Sequence, residues 1–184
     1  MLLDTPICDF GWKAPDFTLF DPDGSRFTMR EHLSDNGLLV AFICNHCPYV
    51  QRIATRLAQD TRRLMSEGIM VLAVMANDYR NYPADSPDQM KRFASDHDFA
   101  FPYLVDEDQA VAKEYGAVCT PDFFGLNGAG ELQYRGRLDD AKMGNAEGRT
   151  PELLNAMRMI AATGVGPEEQ KPSMGCSIKW NILP

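Results

Sequence analysis

The 184-residue chain lacks any surplus of positive charge: 18 lysines and arginines stand against 26 aspartates and glutamates, giving a formal charge of −8 at pH 7 and a pI near 4.8. Such a balance repels nucleic acid and anionic membrane surfaces unless a local basic patch overrides it, so neither is expected as a partner. Segments that direct a chain into or across a membrane are missing too. Met1-Leu2-Leu3-Asp4-Thr5-Pro6 carries no basic stretch followed by a long apolar one, and no run approaches the roughly 18 apolar residues of a membrane span. The expectation is a soluble, cytoplasmic protein. Cysteines are few and odd in number, five in all. A chain of this size folds without staples, so no disulfide framework is expected and at least one thiol is free or pairs only transiently. Internal repeats and low-complexity tracts are absent as well.

What is present suits one core. With 45% apolar residues and no linker-like stretch in the first 160 positions, the sequence predicts a single domain over residues 1–163. A glycine- and proline-rich tail over 164–184 is expected to lie irregularly against it. Asp16 to Phe20 and Ser25 to Met29 alternate apolar with polar residues around Asp21-Pro22-Asp23-Gly24, which predicts an N-terminal β-hairpin. Leu38 to Ile43 is an uncharged apolar run, as in a parallel strand buried on both faces. From Pro48, apolar residues recur at helical spacing through Met65, and Gly68 suits the position just past a helix end. Ile69 to Ala76 predicts a second buried strand. Ser86-Pro87 opens a helix to about Asp98, Asp108 to Tyr115 forms a short one, and Thr150-Pro151 starts a third that runs to about Ala162. Asp122 to Leu126 and Glu131 to Arg135 flank Asn127-Gly128-Ala129-Gly130 as a second hairpin. The order predicts an α/β protein with a mixed central sheet flanked by helices.

The chemistry concentrates at Cys44-Asn45-His46-Cys47. Two cysteines spaced i, i+3 at a strand-to-helix junction place the first thiol at the helix N-terminus, where backbone N–H groups and the helix dipole favour a thiolate. Cys44 is thus expected to be the nucleophile with a lowered pKa. Cys47, deeper and less exposed, is expected to resolve the mixed disulfide. His46 can donate to the thiolate or carry charge beside it, which stabilises the reduced form and makes the disulfide more oxidising. A CxxC pair can also form half of a zinc site or be two ordinary buried cysteines.

With its flanks, Phe42-Ile43-Cys44-Asn45-His46-Cys47-Pro48-Tyr49-Val50 resembles the active site of the peroxiredoxin-like branch of the thioredoxin superfamily. Lys13-Ala14-Pro15-Asp16-Phe17 is similar to the opening segment of the alkyl hydroperoxide reductase and thiol-specific antioxidant group. Asn77-Asp78, Tyr82-Pro83, Asp85-Ser86-Pro87 and Phe101-Pro102-Tyr103-Leu104 resemble later segments of that branch, and Ser173 to Trp180 resembles its tail. These matches imply a thioredoxin-like fold. They also imply that Thr120-Pro121 is a cis peptide facing the cysteine pair, where the Thr120 backbone would be open to an extended thiol substrate.

The resemblance breaks down at the residues that reduce peroxide. The family's threonine three positions before the proline-flanked cysteine is replaced by Cys44, its proline seven before by Val40, and no arginine falls near Cys119-Thr120. A peroxidase needs those groups to hold peroxide. Thioredoxin's buried acid is also missing, because Leu38 to Ile43 has no carboxylate; deprotonation of Cys47 then falls to another group such as His46 or water. The leading expectation is a thiol-disulfide oxidoreductase with Cys44 and Cys47 catalytic and His46, Thr120 and Pro121 modulating. No cofactor or resident metal is expected. Partners would be a thioredoxin-type reductant or glutathione on one side and a disulfide-bearing protein or small thiol on the other. The alternatives are a metal-binding or redox-sensing module and a weak thiol-dependent peroxidase. Cys119 and Cys176 are possible additional thiols: packing is the plainer reading for Cys119, whereas Cys176 can equally reach back from the tail as a resolving cysteine or lie tucked under it with Trp180 as anchor, and Cys8 is a bystander. Tyr134 to Asp140 is expected to be a solvated loop.

Overall fold

A computed structural model describes residues 1–181. Its spine is β4 (Leu38–Phe42), five residues all buried. It runs parallel to β5 (Met70–Met75) and antiparallel to β8 (Asp122–Leu126), in the registers Leu38↔Met70 and Leu38↔Leu126. β6 (Tyr103–Val105) continues the parallel side, followed by the hairpin of β2 (Thr18–Phe20) and β3 (Arg26–Thr28). β9 (Leu132–Tyr134) closes the other edge, giving the order β3-β2-β6-β5-β4-β8-β9. Both predicted hairpins are present, and the sheet is mixed.

The alternation of side chains along β4 divides the core in two. Leu39, Ala41 and Ile43 meet α2 (Pro48–Ser66) and α5 (Glu152–Thr163) through Val50, Leu57, Leu153 and Met157. Leu38, Val40 and Phe42 meet Val111, Ala112 and Tyr115 of α4 (Ala110–Tyr115), together with Met29 of the single-turn α1 (Met29–His32). Burying both faces removes each large apolar side chain from water, worth roughly 1.5–3 kcal/mol apiece before entropy is counted. That is why the strand tolerates no charge. α2 stops where Gly68 takes φ +79, and α4 and α5 stop at Gly116 and Gly164, also left-handed. α3 (Pro87–Asp96) begins at the predicted Ser86-Pro87 but ends two residues earlier than expected, and the Ser86 side chain makes no capping bond.

Two expectations are corrected. The tail contains a strand, β10 (Met174–Ser177), lying between β1 (Leu2–Asp4) and β7 (Cys119–Thr120) in a second, three-stranded sheet. Strands of two to four residues are too short for a legible alternation, and a central glycine weakens the signal further. Gly175 is nevertheless what the site requires: a Cβ there would stand 1.8 Å from the Thr120 carbonyl oxygen. Tyr134 to Asp140, expected to be a solvated loop, is largely buried. Arg135 pairs with Asp122 at 2.8 Å and lies over the Phe124 ring, while Asp139 receives Arg56 at 2.7 Å and Arg149 at 3.2 Å. The charges are buried because their partners come from β8, α2 and the loop before α5. Among the described residues no helix is long and apolar enough to cross a membrane.

Candidate active site

β4 ends at Phe42, although Ile43 still donates its N–H to Val74. The chain then turns through Cys44-Asn45-His46 and enters α2 at Pro48. Proline has no N–H and a φ already suited to a helix, so it takes the first helical position and makes Cys47 the N-cap. This places the helix terminus at the second cysteine, whereas Cys44 lies outside the helix. The expected thiolate assignment is corrected accordingly. The Cys47 thiol is lowered to about 4, first by the Cys44 thiol donating to it and then, against the cost of burial, by the N–H groups of Cys176 and Val50. Cys44 is held well above the usual thiol range by that same bond, by burial and by the negative charge of Asp85. The Thr120 carbonyl, 3.2 Å from Cys47 Sγ, acts against a Cys47 thiolate because it can only accept. Several converging donors outweigh it. The two thiols titrate as a pair, Cys47 on the low side and Cys44 on the high side.

Both cysteines are closed off from solvent, Cys44 at 1% and Cys47 at 0% exposure. Thr120 bridges them: its hydroxyl lies 3.1 Å from Cys44 Sγ and its carbonyl faces Cys47. The Thr120–Pro121 peptide bond is cis. Thus Cys44, Cys47, Thr120 and Pro121 come together at one place. His46 stands at the rim, half-buried, its ring stacked on Tyr82 at 5.7 Å between centroids.

The residue that the sequence did not disclose is Asp85, at the end of a 3-10 turn over Pro83–Asp85 and 0% exposed. One carboxylate oxygen accepts the backbone N–H of Asn45 at 2.7 Å and of His46 at 3.1 Å. The other accepts Asn77 Nδ2 at 2.9 Å and His46 Nδ1. Burial pushes Asp85 up, but the donations from His46 and Asn77 together outweigh it and hold the carboxyl below its ordinary range. In return Asp85 raises His46, mainly through the hydrogen bond and against partial burial. A buried acid does serve the cysteine pair, from the loop after β5 and not from the strand before the motif. Asn45 is pinned as well, with its side chain taking the Tyr103 hydroxyl at 2.9 Å and donating to Ala84 at 3.0 Å. The loop between the cysteines is therefore tied to the 3-10 turn and to β6.

The remaining thiols separate. Cys176, half-buried on β10, lies beside Cys47 and interacts with it through both backbone and side chain. Cys119 adjoins Thr120 on β7, and neighbouring strand residues face opposite ways. It is buried, and burial followed by the charge of Asp122 pushes its thiol up to about 12. Cys8 is half-buried beside Gln170 and Arg135, its thiol pushed up to about 11 by burial. Cys44 Sγ, a His46 ring nitrogen and an Asp85 carboxylate oxygen all fall within 4.8 Å of one another, a set able to ligate a cation.

Comparisons with known proteins bear on the fold and the family. A crystal structure of an uncharacterised conserved protein from Geobacillus kaustophilus is 38% identical, with TM-score 0.92 over 100% of this chain and 98% of that one. A hypothetical protein from Sinorhizobium meliloti 1021 is 37% identical, with TM-score 0.90 over 97% of each chain. At the level of fold alone, a secreted Mycobacterium tuberculosis disulfide oxidoreductase is similar with TM-score 0.55 and 19% identity, over 64% of this chain and 80% of that one. Among curated proteins, none matches the sequence. The AhpC/TSA family matches residues 10–135, the stretch that carries the central sheet, the cysteine pair, Asp85 and the cis-proline. A match over that much of the chain, on a thioredoxin-like architecture, makes this protein a member of the AhpC/TSA family.

Proposed function

We propose that the chain is a thiol-disulfide oxidoreductase whose Cys44 and Cys47 cycle between dithiol and disulfide, working in the cytoplasm on a disulfide-bearing protein or small thiol. The observation that carries this reading is the placement of the two cysteine sulfurs at the strand-to-helix turn, both against Thr120 at the cis peptide bond. Cys44 lies on the loop outside the helix, next to the rim residue His46, and meets the substrate. As its proton passes to Cys47, the Cys44 sulfur attacks a substrate disulfide, forms a mixed disulfide and expels one substrate thiolate, which takes a proton from His46. Cys47 then loses its proton to the neutral His46–Asp85 pair and attacks Cys44. The second substrate sulfur leaves as a thiolate and takes the proton now on His46, and the Cys44–Cys47 disulfide remains. A thioredoxin-type reductant or glutathione reverses the sequence. Because the thiolate is stabilised, the reduced form is favoured and the disulfide is oxidising.

Turnover of oxidised glutathione tests the roles. Cys44→Ser should lower turnover at least about 100-fold, as expected on losing an attacking nucleophile. Cys47→Ser should trap a mixed disulfide on Cys44. A mixed disulfide on Cys47 alone, with Cys44 dispensable, would reverse the assignment. A second reading, a metal-binding or redox-sensing module, is favoured by the thiol, imidazole and carboxylate of Cys44, His46 and Asp85, a donor set that suits zinc. Stoichiometric zinc in protein purified without chelator, lost on Asp85→Asn, would put that reading first.

A further inference from the structure

Beyond the pair, the molecule holds a third sulfur that neither half of this exchange uses. Cys176 sits opposite Thr120 in the β7–β10 register, and Thr120 is the residue whose hydroxyl and carbonyl face Cys44 and Cys47. Its side chain packs on the core cluster that contains both cysteines, and α2 and β10 are in direct contact. Cys47 therefore has a thiol on each side, Cys44 on its own loop and Cys176 on β10. The approach is built in, because at Gly175 any side chain would strike the Thr120 carbonyl and lift β10 away. Cys176 differs from the other two in being half-buried, where they are closed off.

We infer that Cys176 is the third thiol of the redox centre, exchanging with the Cys44–Cys47 disulfide to form a Cys47–Cys176 disulfide and carrying oxidation between the buried pair and solvent. This deepens the exchange reading and rests on it. In the step, the Cys176 thiolate attacks the Cys47 sulfur, the Cys47–Cys176 bond forms, and the Cys44–Cys47 bond breaks. Cys44 leaves with the electron pair and takes up one proton, balancing the one that Cys176 lost on ionising. One disulfide exists before and after, so no outside oxidant or reductant is consumed. A small thiol then has a second point of entry, at the half-buried Cys176, beside the closed-off pair. Neighbouring thiols held in contact exchange far faster than a thiol arriving from solution.

The test uses the full chain, oxidised with glutathione disulfide, quenched in acid, alkylated and mapped by mass spectrometry. Wild type should contain both Cys44–Cys47 and Cys47–Cys176 linkages. In Cys44→Ser, prolonged oxidation should let glutathione disulfide react at Cys176 and Cys47 resolve it, about 100-fold more slowly than wild type forms its disulfide, so that most chains come to carry Cys47–Cys176. Cys119→Ser should leave the map unchanged. Cys176→Ala should keep the Cys44–Cys47 disulfide but slow its reduction by glutathione about 10-fold or more, the loss expected when an intramolecular route is removed. The inference is overturned if Cys44→Ser shows no Cys47–Cys176 linkage and the reduction rate is indifferent to Cys176→Ala, even though wild type forms Cys44–Cys47. If wild type forms no Cys44–Cys47 disulfide at all, the exchange reading falls with it.

Discussion

Replacing Asp85 by asparagine changes one atom's chemistry at the point where the 3-10 turn and Asn77 meet the cysteine loop. The retained amide oxygen can still accept the N–H groups of Asn45 and His46. The new amide nitrogen, however, faces Asn77 Nδ2, a buried donor 2.9 Å away, and the ring of His46. An orphaned buried donor costs about 1–3 kcal/mol and a lost bond to a charged group about 1.5–3. Asp85→Asn should therefore destabilise the reduced protein by about 3 kcal/mol at pH 6, lowering Tm by about 6–12 °C for a chain of this size. The pH dependence identifies the cause. His46 is raised above its ordinary value near 6.5, so its share of the stability is complete at pH 6 and is lost as pH climbs through the folded value. Asp85 is depressed, so its share is complete at pH 6 and is lost only as pH falls through its folded value, below the ordinary 3.9 or so. The thiols of the unfolded chain titrate in this window as well, but both proteins carry the same five, so most of their share cancels in the gap. Urea unfolding in reductant at pH 6 and pH 9 should show the gap between wild type and variant narrowing to about 2 kcal/mol, as the charged part of the pair is lost. A gap that is the same at both pH values, or below about 1 kcal/mol at pH 6, less than one buried hydrogen bond is worth, would refute the Asp85–His46 account.

Thiolate absorbance should report one ionised thiol per reduced chain at pH 6, and it should vanish in Cys47→Ser, since that thiol is lowered to about 4; a signal that persists in Cys47→Ser but not in Cys44→Ser would mean the charge rests on the other sulfur. Arg135→Met leaves Asp122 buried without its partner and should cost about 3–5 kcal/mol, whereas the double variant with Asp122→Asn should recover at least half of that by chemical denaturation. Gly175→Ala must push β10 away from Thr120 and should cost about 3 kcal/mol, as overpacking does, with faster amide exchange in Met174–Ser177. Unchanged exchange there would mean that the strand accommodates the methyl group without moving.

The elements that could be read from the sequence were those whose signals are local. The apolar run at Leu38 to Ile43, the helical spacing after Pro48 and the turn residues at Gly24 and Gly130 each act within a few residues, and each element formed where expected. The start of α2 could have been placed more sharply, because a proline at the first helical position makes the residue before it the cap; that rule points to Cys47. Asp85 carried no such mark. It is one of 26 acidic residues, 38 positions beyond Cys47, and only the fold shows that β5 returns beside β4 and delivers its loop to the cysteines. Burial of Arg135 and Asp139 was hidden for the same reason, since Asp122, Arg56 and Arg149 lie on other elements. β1 and β10 pair Leu2 with Cys176, a separation that no sequence window spans.

That pairing also bears on the order in which the protein is made. Cys44, Cys47 and Asp85 all emerge during synthesis well before Met174–Ser177, and β1 waits for a partner strand made long after it. A growing chain can build the central sheet while the Cys47 side of its thiol centre stays uncovered, because contacts so distant in sequence are the slowest to close. The strand that completes the sheet also shields the centre, so newly made chains pass through a stage in which their thiols are more open to oxidants than they will be again.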